Sequence, residues 1–274
     1  MSVDRYGVMG YPVSHSRSPT IHRLFALQTG QEIEYELLQV SPDKLETAVR
    51  KFQRDGGKGL NVTVPHKSEV TRLVDHMSEP ASTAGAVNTL TFKEGEILGD
   101  NTDGFGLLRD LSVNLELELA GTNILVLGAG GATRGIVGPL LEMEPASLRI
   151  ANRTPGKAKA LADYFSRSGP VTACRFDVVP VTEPYDLIIN ATSAGIHGDE
   201  PPYPAAAVSD TTFCYDLSYA LKPTPFCVWA REKGAANSVM GWGMLVEQAA
   251  ESFRIWRGVR PDTAEILDRM TVTA

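Results

Sequence analysis

Hydrophobic and polar side chains follow two different periods along the first part of the chain. Residues 5–10 form a short strand-like run, and residues 33–40 alternate polar and apolar side chains, as a half-buried strand does. Between them, Ser18-Pro19 predicts the N-cap and first position of a helix that Gly30 ends. Strand, helix and strand in this order predict a parallel pair joined by a helical crossover.

The alternation continues through the first hundred residues. It predicts a helix from Ser41-Pro42 to Gly56-Gly57, a strand over residues 59–65 and a helix that begins near His66. The strand-like segments 86–92 and 97–100 flank Lys93-Glu94-Gly95-Glu96, which predicts a hairpin. A further helix is predicted to start at Asp103-Gly104.

A second series of strands and helices begins at Thr122. Residues 124–127 are wholly apolar, as a buried parallel strand requires, and strands are also predicted over 147–151, 186–190 and 212–216. The sequence therefore predicts an α/β protein of two domains that join near Asp103. The first is expected to contain a mostly parallel sheet.

A glycine-rich turn follows the strand at residues 124–127 and opens a helix. Its members are Gly128, Ala129, Gly130, Gly131 and Ala132. Such a turn lets the backbone approach a pyrophosphate, which the helix N-terminus stabilises. The third glycine position of the dinucleotide fingerprint is Thr133, so a tight turn without a ligand is the alternative. The context favours a Rossmann-like, doubly wound domain.

The residues at the end of the next strand distinguish between NAD(H) and NADP(H) as the cofactor. This strand ends in Asn152-Arg153-Thr154, with Lys157 three residues further on, and no carboxylate stands there to bind a ribose 2′-hydroxyl. Arginine can bind a 2′-phosphate through two parallel hydrogen bonds, which favours NADP(H) over NAD(H). The alternative is a solvated basic turn that caps the next helix. Thr192, after a third strand, is expected either to face the cofactor or to form a polar turn.

Composition excludes several other classes. The net charge of -7 and the absence of basic runs argue against a nucleic-acid or anionic-membrane surface. Cys174, Cys214 and Cys227 are widely spaced. We therefore interpret them as buried thiols in a reducing compartment. The sequence lacks a secretion-signal pattern and an apolar stretch of ~18–20 residues, so a cytoplasmic protein without a membrane partner is predicted. No metal site is expected.

Further polar residues lie at the ends of the predicted strands. Ser14 and Ser16 stand between the first strand and helix, where a capped turn and an oxyanion-binding turn are equally plausible. Asn61 and Thr63 share one strand face, and Lys67 lies just beyond that strand. Each residue alone has an ordinary structural explanation.

Together these segments resemble the shikimate dehydrogenase family. The resemblance rests on GYPVSHSRSP, NVTVPHK, AGAVNT, GDNTDG, GAGGAT, NRT, NATSAGI and LVEQAA, which occur in the family's order over most of the chain. It implies NADP-dependent interconversion of 3-dehydroshikimate and shikimate, within aromatic amino-acid (chorismate) biosynthesis. It also implies a discontinuous substrate domain of residues 1–103 plus 242–274 and an NADP domain of residues 104–241.

The resemblance also assigns roles to individual residues. Lys67 and Asp103 are implied as the catalytic pair, because a developing alkoxide needs a nearby positive donor. Ser14 and Ser16 are implied to bind the substrate carboxylate. The other implied substrate-binding residues are Lys67 and Asp103 themselves, with Asn61, Thr63, Asn88, Tyr219 and Gln248. The implied cofactor-binding residues are the five of the glycine turn, Asn152, Arg153, Thr154, Lys157, Thr192 and Gly241.

The sequence departs from the family pattern at two places. The family usually has Asp-Gly before the last long helix, whereas this chain has Met240-Gly241-Trp242-Gly243, so domain closure or cofactor affinity is expected to differ. Arginine is common three residues after the family's NRT, where Lys157 keeps the charge but loses the planar group. A quinate/shikimate dehydrogenase of broader specificity, a non-catalytic ligand-responsive binding protein and a generic dinucleotide-binding module remain alternatives. A monomer or a homodimer is expected.

Overall fold

The protein folds into two compact units, each built on a six-stranded sheet. A computed structural model describes residues 3–182, 184–192 and 203–272. Unit 1 comprises Met1–Leu107 and Leu245–Arg269, and unit 2 comprises Leu108–Met244 and Met270–Ala274. Both sheets are rich in parallel pairs, which confirms the predicted α/β class.

Unit 1 contains a mixed sheet with the order β2-β1-β3-β5-β6-β4. Strand β1 is parallel to both β2 and β3, whereas β5 is antiparallel to β3 and β6. The element bounds are β1 (Asp4–Gly10), α1 (Ser18–Thr29), β2 (Ile33–Gln39), α2 (Leu45–Arg54), β3 (Gly59–Val62), β4 (His76–Met77), α3 (Glu79–Ala84), β5 (Thr89–Lys93), β6 (Glu96–Asp100) and α4 (Asp103–Arg109), which ends in unit 2.

Unit 2 contains a parallel sheet with the order β12-β11-β10-β7-β8-β9. When strands β7 to β12 are renumbered 1 to 6 and the sheet is read from β9, the order is 3-2-1-4-5-6, that of a dinucleotide-binding sheet. This confirms the predicted Rossmann-like, doubly wound fold. The bounds are β7 (Asn123–Leu127), α5 (Gly131–Glu142), β8 (Ser147–Asn152), α6 (Pro155–Phe165), β9 (Val171–Arg175), β10 (Leu187–Asn190), β11 (Phe213–Asp216), α7 (Pro225–Glu232) and β12 (Asn237–Met240). Helices α8 (Trp242–Arg257) and α9 (Ala264–Val272) follow.

The core of each unit lies between its sheet and the helices that cover it. In unit 1, Leu60, Leu90 and Ile97 of the sheet are fully buried, with Val49 and Phe52 of α2 packed in the same cluster. Helix α8 adds aromatic contacts on the other elements of this unit, since Trp256 stacks on Tyr6 with ring centroids 4.7 Å apart. These contacts hold α8 against β1.

The strand topology of unit 1 gathers the predicted site at one edge of the sheet. Parallel strands β1 and β3 end at the same edge, because Met9 pairs with Val62. Antiparallel β5 begins at that edge and β6 ends there, because Thr89 pairs with both Asn61 and Asp100. The segments after β1, after β3, before β5 and after β6 therefore meet.

Two local predictions are wrong at the start of α1 and after β3. Arg17, not Ser18, occupies the N-cap position of α1, since the Arg17 carbonyl accepts the Ile21 N–H at 3.1 Å; the Ser16 hydroxyl accepts the Ser18 N–H at 3.3 Å. The helix expected near His66 is a short 3₁₀-helix at Glu69–Leu73. The carbonyl of Lys67 accepts the Val87 N–H at 2.8 Å, so this backbone is committed to a neighbouring segment.

Other local predictions differ in extent. The second helix begins as a 3₁₀ turn at Pro42–Lys44 before α2, and the hairpin is confirmed with Glu94 and Gly95 as its two turn residues, both at positive φ. Strands β4, β9 and β12 were not predicted. No helix among the described residues is long and apolar enough to span a membrane.

Candidate active site

Lys67 and Asp103 form a buried ion pair in unit 1. The Lys67 ammonium lies 2.9 Å from Asp103 Oδ1 and 2.6 Å from Oδ2. The side chains are only 13% and 4% exposed. Lys67 follows β3 and Asp103 is the first residue of α4, so the sheet edge places the pair. An ammonium has three hydrogens, and two contacts to one carboxylate leave at least one for another acceptor.

Asn88 fixes the carboxylate of this pair. Its Nδ2 donates to Asp103 Oδ1 at 2.9 Å and to Thr102 Oγ1 at 2.9 Å, and its Oδ1 accepts the Thr102 backbone N–H at 2.9 Å. Asn88 is buried and immediately precedes β5. Asp103 therefore has one neutral and one charged donor, which hold both of its oxygens in place.

Gln248 of α8 reaches the same group of side chains. Its Oε1 lies 3.4 Å from Asn88 Nδ2 and 3.4 Å from Thr102 Oγ1, while its Nε2 donates to the Leu245 carbonyl at 2.8 Å. The structure thus brings together four sequence-predicted residues, Lys67, Asn88, Asp103 and Gln248, from four segments of the chain.

Asn61 lies beside this group but is held by its own partners. Its Oδ1 accepts the Tyr35 hydroxyl at 2.7 Å, and its Nδ2 lies 2.9 Å from Ser252 Oγ. Thr63 follows β3 and is half-buried. A Cβ on Gly10 would come within 2.4 Å of the Thr63 methyl group, so glycine is required where the ends of β1 and β3 approach each other.

Ser14 and Ser16 occupy the loop after β1. The Tyr11 N–H donates to the Val64 carbonyl at 3.0 Å, which ties this loop to the segment after β3. Ser14 is exposed, whereas Ser16 is half-buried and its hydroxyl lies 3.1 Å from that of Ser18. Ser16 therefore also organises the start of α1, a role that the sequence did not indicate.

Four polar residues of this region were not identified from the sequence. Tyr35, Thr89, Thr102 and Ser252 each hydrogen-bond to Asn61 or Asn88. For Ser252 there was one available signal: it stands four residues after Gln248, on the same face of a helix. Tyr35, Thr89 and Thr102 could be identified only once the register of the strands was known.

The glycine turn of unit 2 fits a pyrophosphate. Gly128 has φ +110°, and a Cβ there would come within 2.9 Å of the Ala191 carbonyl oxygen. Gly130 occupies the N-cap position of α5 without a side-chain cap, and a Cβ on it would meet nothing within 4 Å. Space is therefore open beside the Gly130 backbone, and the first-turn N–H groups of α5 lack intrahelical partners, as at any helix N-terminus.

Thr133 explains the imperfect fingerprint. Its side chain is fully buried and its hydroxyl donates to the Gly128 carbonyl at 3.1 Å. The third glycine of the motif normally allows close helix–strand packing. Here a threonine occupies that position, and its hydrogen bond to Gly128 stabilises the turn. The departure therefore does not prevent the backbone of the turn from approaching a pyrophosphate.

The basic residues after β8 are available to an anion. Arg153 and Lys157 are exposed, and neither forms an ion pair with the other residues that the structure describes. Thr154 occupies the N-cap position of α6 but its side chain makes no capping hydrogen bond; the Asn152 amide donates to its carbonyl at 2.9 Å. These features fit a 2′-phosphate better than a helix cap.

The remaining predicted residues of unit 2 lie after β10, β11 and β12. The Thr192 hydroxyl donates a hydrogen bond to Asn190 Oδ1 at 2.7 Å. A Cβ on Gly241 would lie 2.6 Å from the Leu217 carbonyl oxygen, so no side chain fits there. The ring centroids of Tyr219 and Trp242 are 4.7 Å apart. Residues 193–196 of NATSAGI lie outside the described residues.

Burial keeps two titratable side chains outside the ion pair neutral, His22 and Cys214. Burial lowers the pKa of His22 to about 3, an effect that the Asn61 side chain partly opposes. Burial raises the pKa of Cys214 to about 12, with the neighbouring Cys227 adding to the shift. Within residues 3–182, 184–192 and 203–272, no three His, Cys, Asp or Glu side chains are grouped so as to hold a metal ion.

Comparison with known families gives three matches along the chain. The model described as shikimate dehydrogenase substrate binding domain matches residues 8–90. Shikimate / quinate 5-dehydrogenase matches residues 111–197, and the shikimate 5'-dehydrogenase C-terminal domain matches residues 241–271. The segments that contain Lys67, the glycine turn and Gln248 each fall within one of them.

Similar proteins extend these matches to nearly the full length. A shikimate dehydrogenase (NADP(+)) from Alkalilimnicola ehrlichii is 52% identical over 264 residues, which cover 96% of this chain and 97% of that protein. The structure of an Ael1 enzyme from Pseudomonas putida has a TM-score of 0.89 at 44% identity, with 98% of each chain covered. Shikimate 5-dehydrogenase from Thermus thermophilus, solved with NADP(H) and shikimate, has a TM-score of 0.87 at 32% identity, covering 99% of this chain and 100% of that one.

Proposed function

The chain belongs to the shikimate dehydrogenase family, and we propose that it catalyses the reversible, NADP-dependent reduction of 3-dehydroshikimate to shikimate. The observation that carries this proposal is the buried Lys67–Asp103 pair, with Asn88 on the carboxylate. A buried ion pair contributes little to stability by itself, whereas hydride transfer to a carbonyl needs a positioned proton donor.

Lys67 handles the proton in this reaction. In the reducing direction, negative charge develops on the substrate carbonyl oxygen, where an ammonium stabilises it and donates a proton. In the oxidising direction the same nitrogen takes the proton from the substrate hydroxyl. Asp103 keeps Lys67 in place through contacts of 2.9 and 2.6 Å. When bound, NADP(H) supplies the hydride chemistry.

Ser14, Ser16 and the amide side chains bind the substrate. Asn61, Thr63, Asn88, Asp103 and Gln248 hold the ring hydroxyls, which need paired donors and acceptors. Tyr219 is a further substrate-binding residue. The sheet edge of unit 1, where the segments after β1, β3 and β6 converge, supports this assignment for all of them but Tyr219. The proposed substrate domain spans residues 1–103 plus 242–274; its bounds differ from those of unit 1, which ends at Leu107 and resumes over Leu245–Arg269.

The NADP domain consists of residues 104–241. Gly128, Ala129, Gly130, Gly131 and Ala132 hold the pyrophosphate on the N-terminus of α5. Asn152, Arg153, Thr154 and Lys157 hold the 2′-phosphate, while Thr192 and Gly241 line the cofactor site. Two observations support these assignments. A Cβ does not fit at Gly128 or Gly241, whereas one on Gly130 would meet nothing within 4 Å. Arg153 and Lys157 are exposed and form no ion pair with the other described residues.

The cytoplasm is the proposed location, and a monomer or homodimer is the proposed assembly. The three cysteines are free thiols, as expected in a reducing compartment. Size-exclusion chromatography with light scattering measures the assembly directly, and a tetramer would contradict it.

The test is shikimate oxidation by the purified protein, followed through nicotinamide absorbance with NADP⁺ and NAD⁺ in parallel and quinate as a second substrate. Turnover with shikimate and NADP⁺ alone is expected. Comparable rates with quinate or NAD⁺ would indicate the broader quinate/shikimate enzyme. Shikimate binding without turnover would indicate a non-catalytic binding protein.

A further inference from the structure

Ser252 occupies a fully buried position on α8, one turn after Gln248. Its Oγ accepts Asn61 Nδ2–H at 2.9 Å, lies 2.8 Å from Thr89 Oγ1 and donates to the Gln248 carbonyl at 3.1 Å. One hydroxyl of α8 therefore connects two strands of the sheet with the turn of the helix that carries Gln248.

We propose that Ser252 is a positioning residue for the substrate, which acts by fixing the amide of Asn61. This inference rests on the proposed function and extends it to a residue that does not touch the substrate. Asn61 is held from both sides: Tyr35 donates to its oxygen at 2.7 Å and Ser252 accepts from its nitrogen at 2.9 Å. Together the two partners fix the orientation of the Asn61 amide, with Oδ1 towards Tyr35 and Nδ2 towards Ser252.

The other acceptors near Asn61 Nδ2 are weaker. The Asn88 carbonyl lies 3.3 Å away and Thr89 Oγ1 lies 3.2 Å away. Both distances are at the long end for an N–H···O bond. Without Ser252, the amide keeps its bond from Tyr35 but loses its shortest acceptor, so the two longer contacts hold its plane less firmly.

The helix itself does not require this hydroxyl. Alanine is a better helix former than serine, and a serine that bonds back to the carbonyl four residues earlier slightly destabilises a helix. The hydroxyl of Ser252 makes that bond to Gln248. Its benefit must therefore come from Asn61 and Thr89, across the interface between α8 and the sheet.

The effect of Ser252 falls on substrate binding and not on the ion pair. Two contacts lead from Ser252 towards Asp103: Thr89 Oγ1 lies 2.9 Å from Asn88 Oδ1, and Ser252 Oγ lies 3.3 Å from Thr102 Oγ1. Asn88, however, retains the Thr102 backbone N–H on its oxygen and Asp103 on its nitrogen, both at 2.9 Å, whether or not Ser252 is present. We therefore expect the KM for shikimate to change and kcat to stay nearly constant.

The experiment compares Ser252→Ala, Asn61→Ala and the double variant in steady-state kinetics and in calorimetric titration with shikimate. Ser238→Ala is the matched control, because Ser238 is a buried, hydrogen-bonded serine of unit 2. Ser252→Ala is expected to raise the KM and Kd for shikimate about fivefold to tenfold, with kcat within about twofold and an unchanged KM for NADP⁺. Ser238→Ala leaves all of these constants unchanged.

The double variant separates positioning from general destabilisation. If Ser252 acts through Asn61, adding Ser252→Ala to Asn61→Ala changes the shikimate Kd by less than about twofold. Additive effects, an equal fall in kcat, or a parallel change in the KM for NADP⁺ would overturn the proposal. If the wild-type protein binds shikimate without turnover, the proposed activity fails and the Kd values still decide the role of Ser252. If the wild-type protein binds no shikimate, both proposals are wrong.

Discussion

Lys67 and Asp103 stand 36 positions apart in the sequence, yet the Lys67 ammonium contacts both oxygens of the Asp103 carboxylate. The end of β3 and the start of α4 supply one partner each, and the hairpin β5–β6 between them brings these two points together. Asn88, at the beginning of that hairpin, adds a third contact to the pair. The pair is thus a product of strand register.

Lys67→Ala is expected to lower kcat by about 10²- to 10⁴-fold, because it removes the proton donor and the positive charge beside the reacting oxygen. The affinity for NADP(H) should not change, since the proposed cofactor residues belong to unit 2. Stopped-flow or steady-state oxidation of shikimate gives kcat, and fluorescence titration gives the NADPH affinity. Lys58→Ala, an exposed lysine of unit 1, is the control. An unchanged turnover number in Lys67→Ala would refute the assignment.

Asp103→Asn is expected to impair turnover while retaining the shape of the side chain. The amide replaces a carboxylate that accepts from both Lys67 and Asn88, and it cannot accept through both of its ends. Lys67 then loses the contact that positions it. The measurement is kcat for shikimate oxidation, with the thermal midpoint recorded to detect unfolding. Wild-type kinetics would remove Asp103 from the pair.

The sequence predicts the elements of this fold better than their meeting points. The apolar run at residues 124–127 and the glycine turn after it identify the unit 2 sheet, because buried strands and pyrophosphate turns need those residues locally. Ser252 and Asn61 are 191 positions apart, and no local pattern links them. Their contact depends on how α8 packs on β3, which is a tertiary property.

The same limit explains one of the two errors near the active site. The sequence placed an N-cap at Ser18 and a helix near His66. At α1 the competing contact is local, since Ser16 accepts the Ser18 N–H at 3.3 Å, whereas His66 Nε2 lies 2.7 Å from the carbonyl of the distant Val40. Long-range partners override local propensity most often where the backbone forms a ligand site.

Arg153→Ala is expected to weaken NADP(H) binding about tenfold to a hundredfold, because a charge-assisted hydrogen bond to phosphate is lost. Binding of NAD(H), which has no 2′-phosphate, should be unaffected, so the preference for NADP(H) narrows. Titration with both reduced nucleotides measures the two affinities. Arg167→Ala, which removes an exposed arginine of the same unit, controls for net charge. Unchanged affinity for NADP(H) would count against a 2′-phosphate clamp.

The stability of unit 1 is expected to depend on pH through His22. Burial lowers the native pKa of His22 from 6.5 to about 3, so the folded protein keeps this ring neutral. Between these two values the unfolded chain binds the additional proton. Its contribution to stability is therefore fully present above pH 6.5 and is lost as the pH falls towards 3, by up to about 1.4 kcal/mol per pH unit.

The check on this prediction is urea unfolding of the wild type and His22→Phe at pH 7.5 and pH 5. Phenylalanine keeps a ring against Tyr35, whose ring centroid lies 4.2 Å from that of His22. The wild type should lose about 2 kcal/mol more than His22→Phe over this interval. His15→Phe, at an exposed position, should behave as the wild type. Equal losses in wild type and His22→Phe would show that His22 does not couple to folding.

Gly243→Ala is expected to destabilise unit 2, because an added Cβ would lie 1.8 Å from Asp110 Oδ1. The Asp110 carboxylate cannot easily move, since it accepts the Tyr215 hydroxyl at 2.6 Å and the Asn114 amide at 2.9 Å. Tyr215 in turn accepts the Met244 N–H at 3.2 Å, next to the glycine. We expect a loss of about 1–3 kcal/mol in the free energy of urea unfolding, as for other overpacked sites.

Two further variants identify the clash as the cause of that loss. Gly156→Ala adds the same methyl group to α6, where a Cβ would meet nothing within 4 Å, and it should leave stability unchanged or slightly higher. Asp110→Ala vacates the space that the new Cβ needs, so adding Gly243→Ala to Asp110→Ala should cost less than adding it to the wild type. An equal cost in both backgrounds would mean that Gly243 is required for another reason than its approach to Asp110.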